Sequence, residues 1–157
     1  MKKAIYPAVL IGIVLTIFTA CSSKRQLASN TFSRSKITGT WVLNSINYEN
    51  IVENAVQTVF NQGPARDFQN STWILTNSGN GKYSLTNGVT QNIFWSFSNV
   101  NGTSIFQFKK LDNEKAKNVT SGYQLEVTSA NGQMLTLKAP VQYGGKTGYI
   151  VYNFSKK

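Results

Sequence analysis

The chain contains no histidine and a single cysteine, and only six of its 157 residues are acidic. Without histidine there is no His-dependent triad and no imidazole general base. One cysteine supports no internal disulfide framework and no Cys/His zinc site. The six acids are Glu49, Glu53, Asp67, Asp112, Glu114 and Glu126. None forms an evident pair along the chain, so a two-carboxylate hydrolase is not expected. Proline is also scarce, at three residues. No enzymatic activity and no cofactor are expected.

Sixteen basic residues oppose those acids, a formal net charge of +10. The excess is unevenly placed. Lys2 and Lys3 open the chain, and Lys24, Arg25, Arg34 and Lys36 lie in a stretch with no acid. From Ile37 onward ten basic residues face the six acids, leaving only +4. The lysines are scattered there, so nucleic acid is not an expected partner.

An uncharged, mostly apolar run follows Lys3, from Ala4 to Ala20. As a helix it would span about 25 Å, short of a hydrocarbon core of about 30 Å. A basic start, an apolar stretch and a small residue before a polar region describe a secretory signal. Phe18-Thr19-Ala20-Cys21 resembles a bacterial lipobox, with Phe18 in place of the usual Leu. The resemblance implies removal of residues 1–20 and lipidation of Cys21, with firm anchoring by several acyl chains. Ser22-Ser23 after the Cys, with no Asp, implies the outer membrane, and the periplasmic face is the expected location. Residues 22–36, SSKRQLASNTFSRSK, read as a flexible basic tether. Its charges either meet anionic headgroups, each worth roughly 1 kcal/mol, or simply solvate the linker.

Beyond Ile37 the pattern is that of strands. Asn-Gly pairs, the strongest short hairpin signal, occur at Asn80-Gly81, Asn87-Gly88, Asn101-Gly102 and Asn131-Gly132. Between them lie eight β-rich runs, about 37–47, 71–77, 81–87, 91–98, 103–111, 121–129, 132–139 and 146–155. Tyr123, Leu125 and Val127 alternate with Gln124, Glu126 and Thr128, and Ile150, Tyr152 and Phe154 alternate with Val151, Asn153 and Ser155. Period-two alternation with one polar face predicts antiparallel strands wet on one side. Ile93, Phe94 and Trp95 are all apolar, so alternation leaves open which of them points inward. The runs are mostly too short and too polar outside for a membrane-spanning barrel.

One segment differs. Val52, Ala55, Val56, Val59 and Phe60 fall at helical spacing, with Asn50 and Glu53 placed as a capping box and Gly63-Pro64 as a stop. A helix of about three turns is therefore expected between the first and second strands. Asp112–Lys117 reads as a solvated loop.

Eight antiparallel strands joined mainly by hairpins point to an all-β up-and-down barrel, which closes on itself and leaves no edge. Gly39-Thr40-Trp41 on the first strand matches the Gly-x-Trp element of lipocalins. The region 37–157 resembles the lipocalin-like lipoproteins of Bacteroidetes, in segments such as Ser71-Thr72-Trp73, Phe94-Trp95-Ser96 and Gly148-Tyr149-Ile150. The resemblance implies an internal cavity for small apolar molecules and no particular ligand. Two departures accompany it. No Arg lies near the last strand to pack on the motif Trp, and Lys156 lacks the planar guanidinium for that task. A helix after the first strand, rather than after the last, is closer to fatty-acid-binding proteins.

Trp41, Leu43, Trp73, Tyr83, Trp95, Phe106, Phe108, Tyr123, Leu125 and Tyr152 are the residues expected to line a cavity or to form the barrel core. An eight-stranded barrel is just wide enough for either outcome. The expectations are thus a removed signal (1–20), a lipidated Cys21 with its tether (21–36), and a monomeric barrel (37–157). Its partners would be a membrane, through the anchor, and a small hydrophobic ligand. The alternative is a filled barrel that serves as a structural or interaction module.

Overall fold

The computed structural model describes residues 31–112 and 121–157. Residues 1–20, Cys21 and the first part of the tether lie outside them, as does most of the charged stretch after Asp112. Among the described residues no helix is long and apolar enough to cross a membrane.

Eight strands follow in order: β1 (Gly39–Glu49), β2 (Thr72–Leu75), β3 (Asn80–Ser84), β4 (Thr90–Val100), β5 (Thr103–Lys110), β6 (Tyr123–Ala130), β7 (Met134–Tyr143) and β8 (Lys146–Lys156). Each pairs antiparallel with the next, and β8 returns to β1, so the sheet is a closed up-and-down barrel, lipocalin-like in architecture. The alternation read from the sequence is the alternation of the wall: Leu125 and Val127 point inward and Gln124 and Glu126 outward. At the ambiguous position the interior takes Ile93 and Trp95, both fully buried, and leaves Phe94 half-buried outside.

Three of the four Asn-Gly pairs make turns. Asn101 and Gly102 have φ of 50° and 80° and join β4 to β5; Gly88 and Gly132 are likewise at positive φ between their strands. Asn80-Gly81 does not turn. It sits inside β3, where Gly81 pairs with both Leu75 and Ile93. The β2–β3 turn is one step earlier, closed by Gly79 N–H on the Thr76 carbonyl at 3.1 Å.

One short helix, α1 (Ala65–Phe68), lies between β1 and β2, but the three-turn helix expected over 50–61 is not there. That segment holds a single 3-10 turn, Glu53–Ala55, and Asn50, Phe60 and Asn61 take φ of 57°, 51° and 47°. Those angles are incompatible with a helix. Val52 is 61% exposed while Val59 and Phe60 are buried, so the apolar residues do not share one face. β-Branched and Asn residues favour helix weakly. Burial of Val59 and Phe60 in the barrel mouth decides the conformation instead. Pro64 starts α1 rather than ending a helix.

The end where β1 begins and β8 finishes is sealed from below. The described part of the stretch read as tether folds against it. Arg34–Lys36 forms a 3-10 turn that leads into fully buried Ile37. Phe32 N–H reaches Ser104 Oγ at 2.9 Å, and Asn99 Nδ2 donates to the Phe32 carbonyl at 3.2 Å. Trp41 stands on this floor, its indole Nε1 donating to the Ile37 carbonyl at 2.7 Å. Lys156 lies beside it, with Nζ 4.9 Å from the Trp41 ring and 3.0 Å from the Thr38 carbonyl. Lysine thus occupies the place over the motif Trp for which no arginine was found. Gly39 makes room for that lysine: its φ is 143°, and an added Cβ would come within 2.7 Å of Lys156 Cε. The arginine at this end serves another tryptophan: Arg34 stacks 3.9 Å over Trp95 and donates to the Asn77 carbonyl.

Candidate functional site

All ten residues expected in the lumen face it. Nine are buried, among them Trp41, Leu43, Tyr83, Trp95, Phe106 and Phe108 at 0% exposure; Tyr123 at the rim is half-buried. They pack against one another rather than around a central space. Trp95 stacks on Phe106 at 5.7 Å, Phe106 meets Phe108 at 5.9 Å, and Phe108 meets Tyr123 at 5.0 Å. Alongside, Trp73 contacts Tyr83 at 4.7 Å and Phe154 at 5.8 Å. The lower and middle lumen is filled by aromatic rings.

The centre of the upper cluster is a residue that the helical spacing hid. Phe60 hangs into the mouth and touches five rings at 4.9–5.9 Å: Phe68, Trp73, Phe108, Tyr123 and Tyr152. Each such pair is worth roughly 0.5–1.5 kcal/mol beyond area burial. Phe60 sits in a tight turn in which Gln62 N–H bonds the Val59 carbonyl at 3.0 Å and both central residues have positive φ. For a side chain as large as Phe this conformation costs roughly 1–3 kcal/mol. The ring contacts offset that cost.

The turn is latched to the rim by three side chains. The Tyr123 hydroxyl donates to the Phe60 carbonyl at 2.6 Å. Lys110 Nζ donates to the Asn61 carbonyl at 3.3 Å and to Gln62 Oε1 at 3.2 Å. Tyr83 Oη reaches the same Gln62 oxygen at 3.4 Å. At the other end of the connection Ile51 packs against Gly148, where an added Cβ would lie 2.0 Å from Ile51 Cγ2.

Beside this plug there is space. A half-open cavity of about 280 Å³ lies between the turn and the upper parts of β6, β7 and β8. Thr58, Val59 and Phe60 form one side, and Tyr123, Leu125, Ala139, Ile150 and Tyr152 form much of the other. Of the residues singled out in the sequence, only Tyr123, Leu125 and Tyr152 reach it. Val59, Phe60, Ala139 and Ile150 were not singled out. Ile150 was legible as an inward position of its strand; the loop residues were not.

The ionisable groups near the mouth are mostly tyrosines, and burial sets their behaviour. Burial first, then the neighbouring Tyr48, holds Tyr152 well above the usual phenol range. Burial, followed by Tyr123 and Asp112, does the same to Tyr83, and burial alone raises Tyr123. These hydroxyls stay protonated through neutral pH and act as hydrogen-bond donors, not bases. Among the described residues no cluster of His, Cys, Asp or Glu is suited to hold a metal ion.

The described residues therefore define a closed eight-stranded antiparallel barrel with a lumen packed by aromatic rings and a small cavity of mixed polar and apolar lining at its plugged mouth. No family model matches the chain, and neither a curated protein nor a solved structure does.

Proposed function

We propose that the protein is a lipid-anchored, lipocalin-like protein of the bacterial cell envelope that holds a small hydrophobic molecule at the barrel mouth. The observation that carries this reading is the mouth cavity. Its volume, about 280 Å³, falls just below that of ligand pockets for drug-sized molecules, about 300–1,000 Å³, and so fits a small ligand. Its lining joins apolar side chains such as Val59, Leu125, Ala139 and Ile150 to the polar ones of Thr58 and Gln124. The aromatic column below it limits the ligand to the mouth. The anchor rests on the first 21 residues, through the basic start, the apolar run and the lipobox-like Phe18–Cys21. Within the same reading the outer membrane follows from Ser22-Ser23, and its periplasmic face from the lack of an acidic run after Cys21. No reaction, cofactor or nucleic acid belongs to it.

A second reading draws on a different observation. The filled lumen suits a rigid module that presents its outer surface to other envelope components. Native mass spectrometry of residues 22–157 separates the two. A bound small molecule released on activation is the expected result; a bare barrel that also fails to take up acyl-chain probes favours the interaction module. The anchor is tested by Cys21→Ser. The variant should lose the mass of the lipid and leave the membrane fraction, and unchanged mass and fractionation would refute the anchor.

A further inference from the structure

Strands β6 and β7 part halfway up the wall. Their ladder runs from Ala130↔Leu135 to Glu126↔Lys138 and stops. Above that point β6 continues to Tyr123, paired with Phe108 of β5 on its far side. β7 continues to Tyr143, paired with Lys146 of β8 on its own far side. The upper wall thus has a seam with a strand on each bank and no ladder across it. Pro140 stands on one bank, and having no N–H it cannot donate to a ladder there; proline in sheets sits where pairing ends.

A recess lies on each side of the seam. Inside is the mouth cavity. Outside is a second hollow of about 330 Å³, bordered by Ile105, Glu126, Lys138 and Tyr149. Gln124 and Pro140 line both. The lower lip is held in place. Lys138 Nζ lies 2.5 Å from Glu49 Oε2 and 4.1 Å from the centre of the Tyr149 ring. That bond to Glu49 raises the Lys138 pKa, and it commits the charge to neighbouring strands rather than to a ligand. The top of the cavity, by contrast, is closed by the Phe60 turn and its latches from Tyr123 and Lys110.

A cavity latched above and unpaired at the side is reached from the side. We propose that the β6–β7 seam is the passage by which a single acyl chain reaches the mouth cavity, an inference that rests on the ligand-binding reading above. A slot between two unpaired strands is long and narrow, which suits an extended acyl chain and not a fused ring system. Val59, Leu125, Ala139 and Ile150 give the inner side apolar surface for a chain, and the Gln124 amide at the lip offers hydrogen bonds to whatever polar head stays outside.

The test uses residues 22–157, which hold the whole closed barrel and its core and contain no cysteine. Gln124→Cys with Pro140→Cys places one thiol on each bank, and a short reducible bis-thiol linker bridges them. Stopped-flow uptake of dansylundecanoic acid should slow at least tenfold on bridging and recover on reduction. Lauric acid or lauroyl lysophosphatidylcholine should displace the probe, and the better competitor tells which head accompanies the chain; displacement by neither overturns the proposal. Equal rates with and without the bridge, with the parent binding normally, overturn the passage alone. Failure of the parent to bind overturns the passage and the ligand reading together. Lys110→Met provides an independent check by loosening the latch above. Uptake within twofold of the parent supports the side passage, and a tenfold acceleration places the way in at the mouth instead.

Discussion

The two ends of the barrel solve the same problem differently. The lower end is closed by regular means: a buried Trp41 on a floor of backbone carbonyls, with Lys156 and Arg34 each laid against an indole ring. The upper end is closed by a strained turn that drops Phe60 among five rings and is tied down by hydrogen bonds from the rim. The upper closure leaves a cavity and an unpaired seam. Strain and incomplete pairing in folded proteins collect where something must bind or move. Under the proposed ligand-binding reading, structural work falls to one end and ligand contact to the other.

Raising the pH should break the comparison most completely. The tyrosines whose pKa is lifted, Tyr48, Tyr83, Tyr123 and Tyr152, lie from mid-barrel to the mouth. A phenol raised in the folded state contributes stability that is full below its unfolded pKa, about 10, and is lost as pH climbs toward the folded value. Alkaline unfolding should begin above pH 10, with tyrosine ionisation at 295 nm and loss of amide protection appearing first at the upper end. Protection lost first around Trp41 would contradict this.

Truncating the two plugs comes next. Trp41→Ala should cost about 3–5 kcal/mol in denaturant unfolding, because the sealed floor has nothing to collapse into the void. Phe60→Ala should cost less, about 2–3 kcal/mol, since relief of the positive-φ strain offsets part of the lost packing. It should also enlarge the mouth cavity and tighten binding of an acyl probe, which Trp41→Ala should not do. Smaller effects sharpen the contrast. Tyr123→Phe removes the latch on the Phe60 carbonyl and should cost about 1 kcal/mol, seen as faster amide exchange in the turn 59–63. Lys156→Met loses a cation over Trp41 and should cost about 0.5–1 kcal/mol, falling with added salt.

The same contrast explains what could be read from the sequence. Where side chains alternate with period two the inward positions were legible from that pattern, with Trp95 the exception, because the run Ile93-Phe94-Trp95 left its face open. So were the hairpins at Asn87-Gly88, Asn101-Gly102 and Asn131-Gly132, where local turn chemistry agrees with the fold. Asn80-Gly81 misled because a glycine inside a strand, needed there for close approach of the Ile74 carbonyl, looks the same as a glycine in a turn. The connection 50–71 misled more deeply. Its apolar residues happen to fall at helical spacing, but their burial is set by the barrel mouth, a tertiary surface that no local pattern encodes. Phe60 was visible as an apolar residue and invisible as a plug. The β6–β7 seam left only a trace, Pro140 directly after the predicted strand 132–139.

The most direct test of ligand binding at the mouth is a titration of residues 22–157 with an acyl-chain fluorophore, repeated on Ala139→Phe. Ala139 is half-buried, lines the cavity and packs against the core, so a phenyl ring there grows into the open space. Saturable one-to-one binding by the parent and its loss in Ala139→Phe, with the variant still folded by near-ultraviolet circular dichroism, is the predicted result. Absence of binding by the parent, or equal binding by a folded Ala139→Phe, would contradict a ligand site at the barrel mouth.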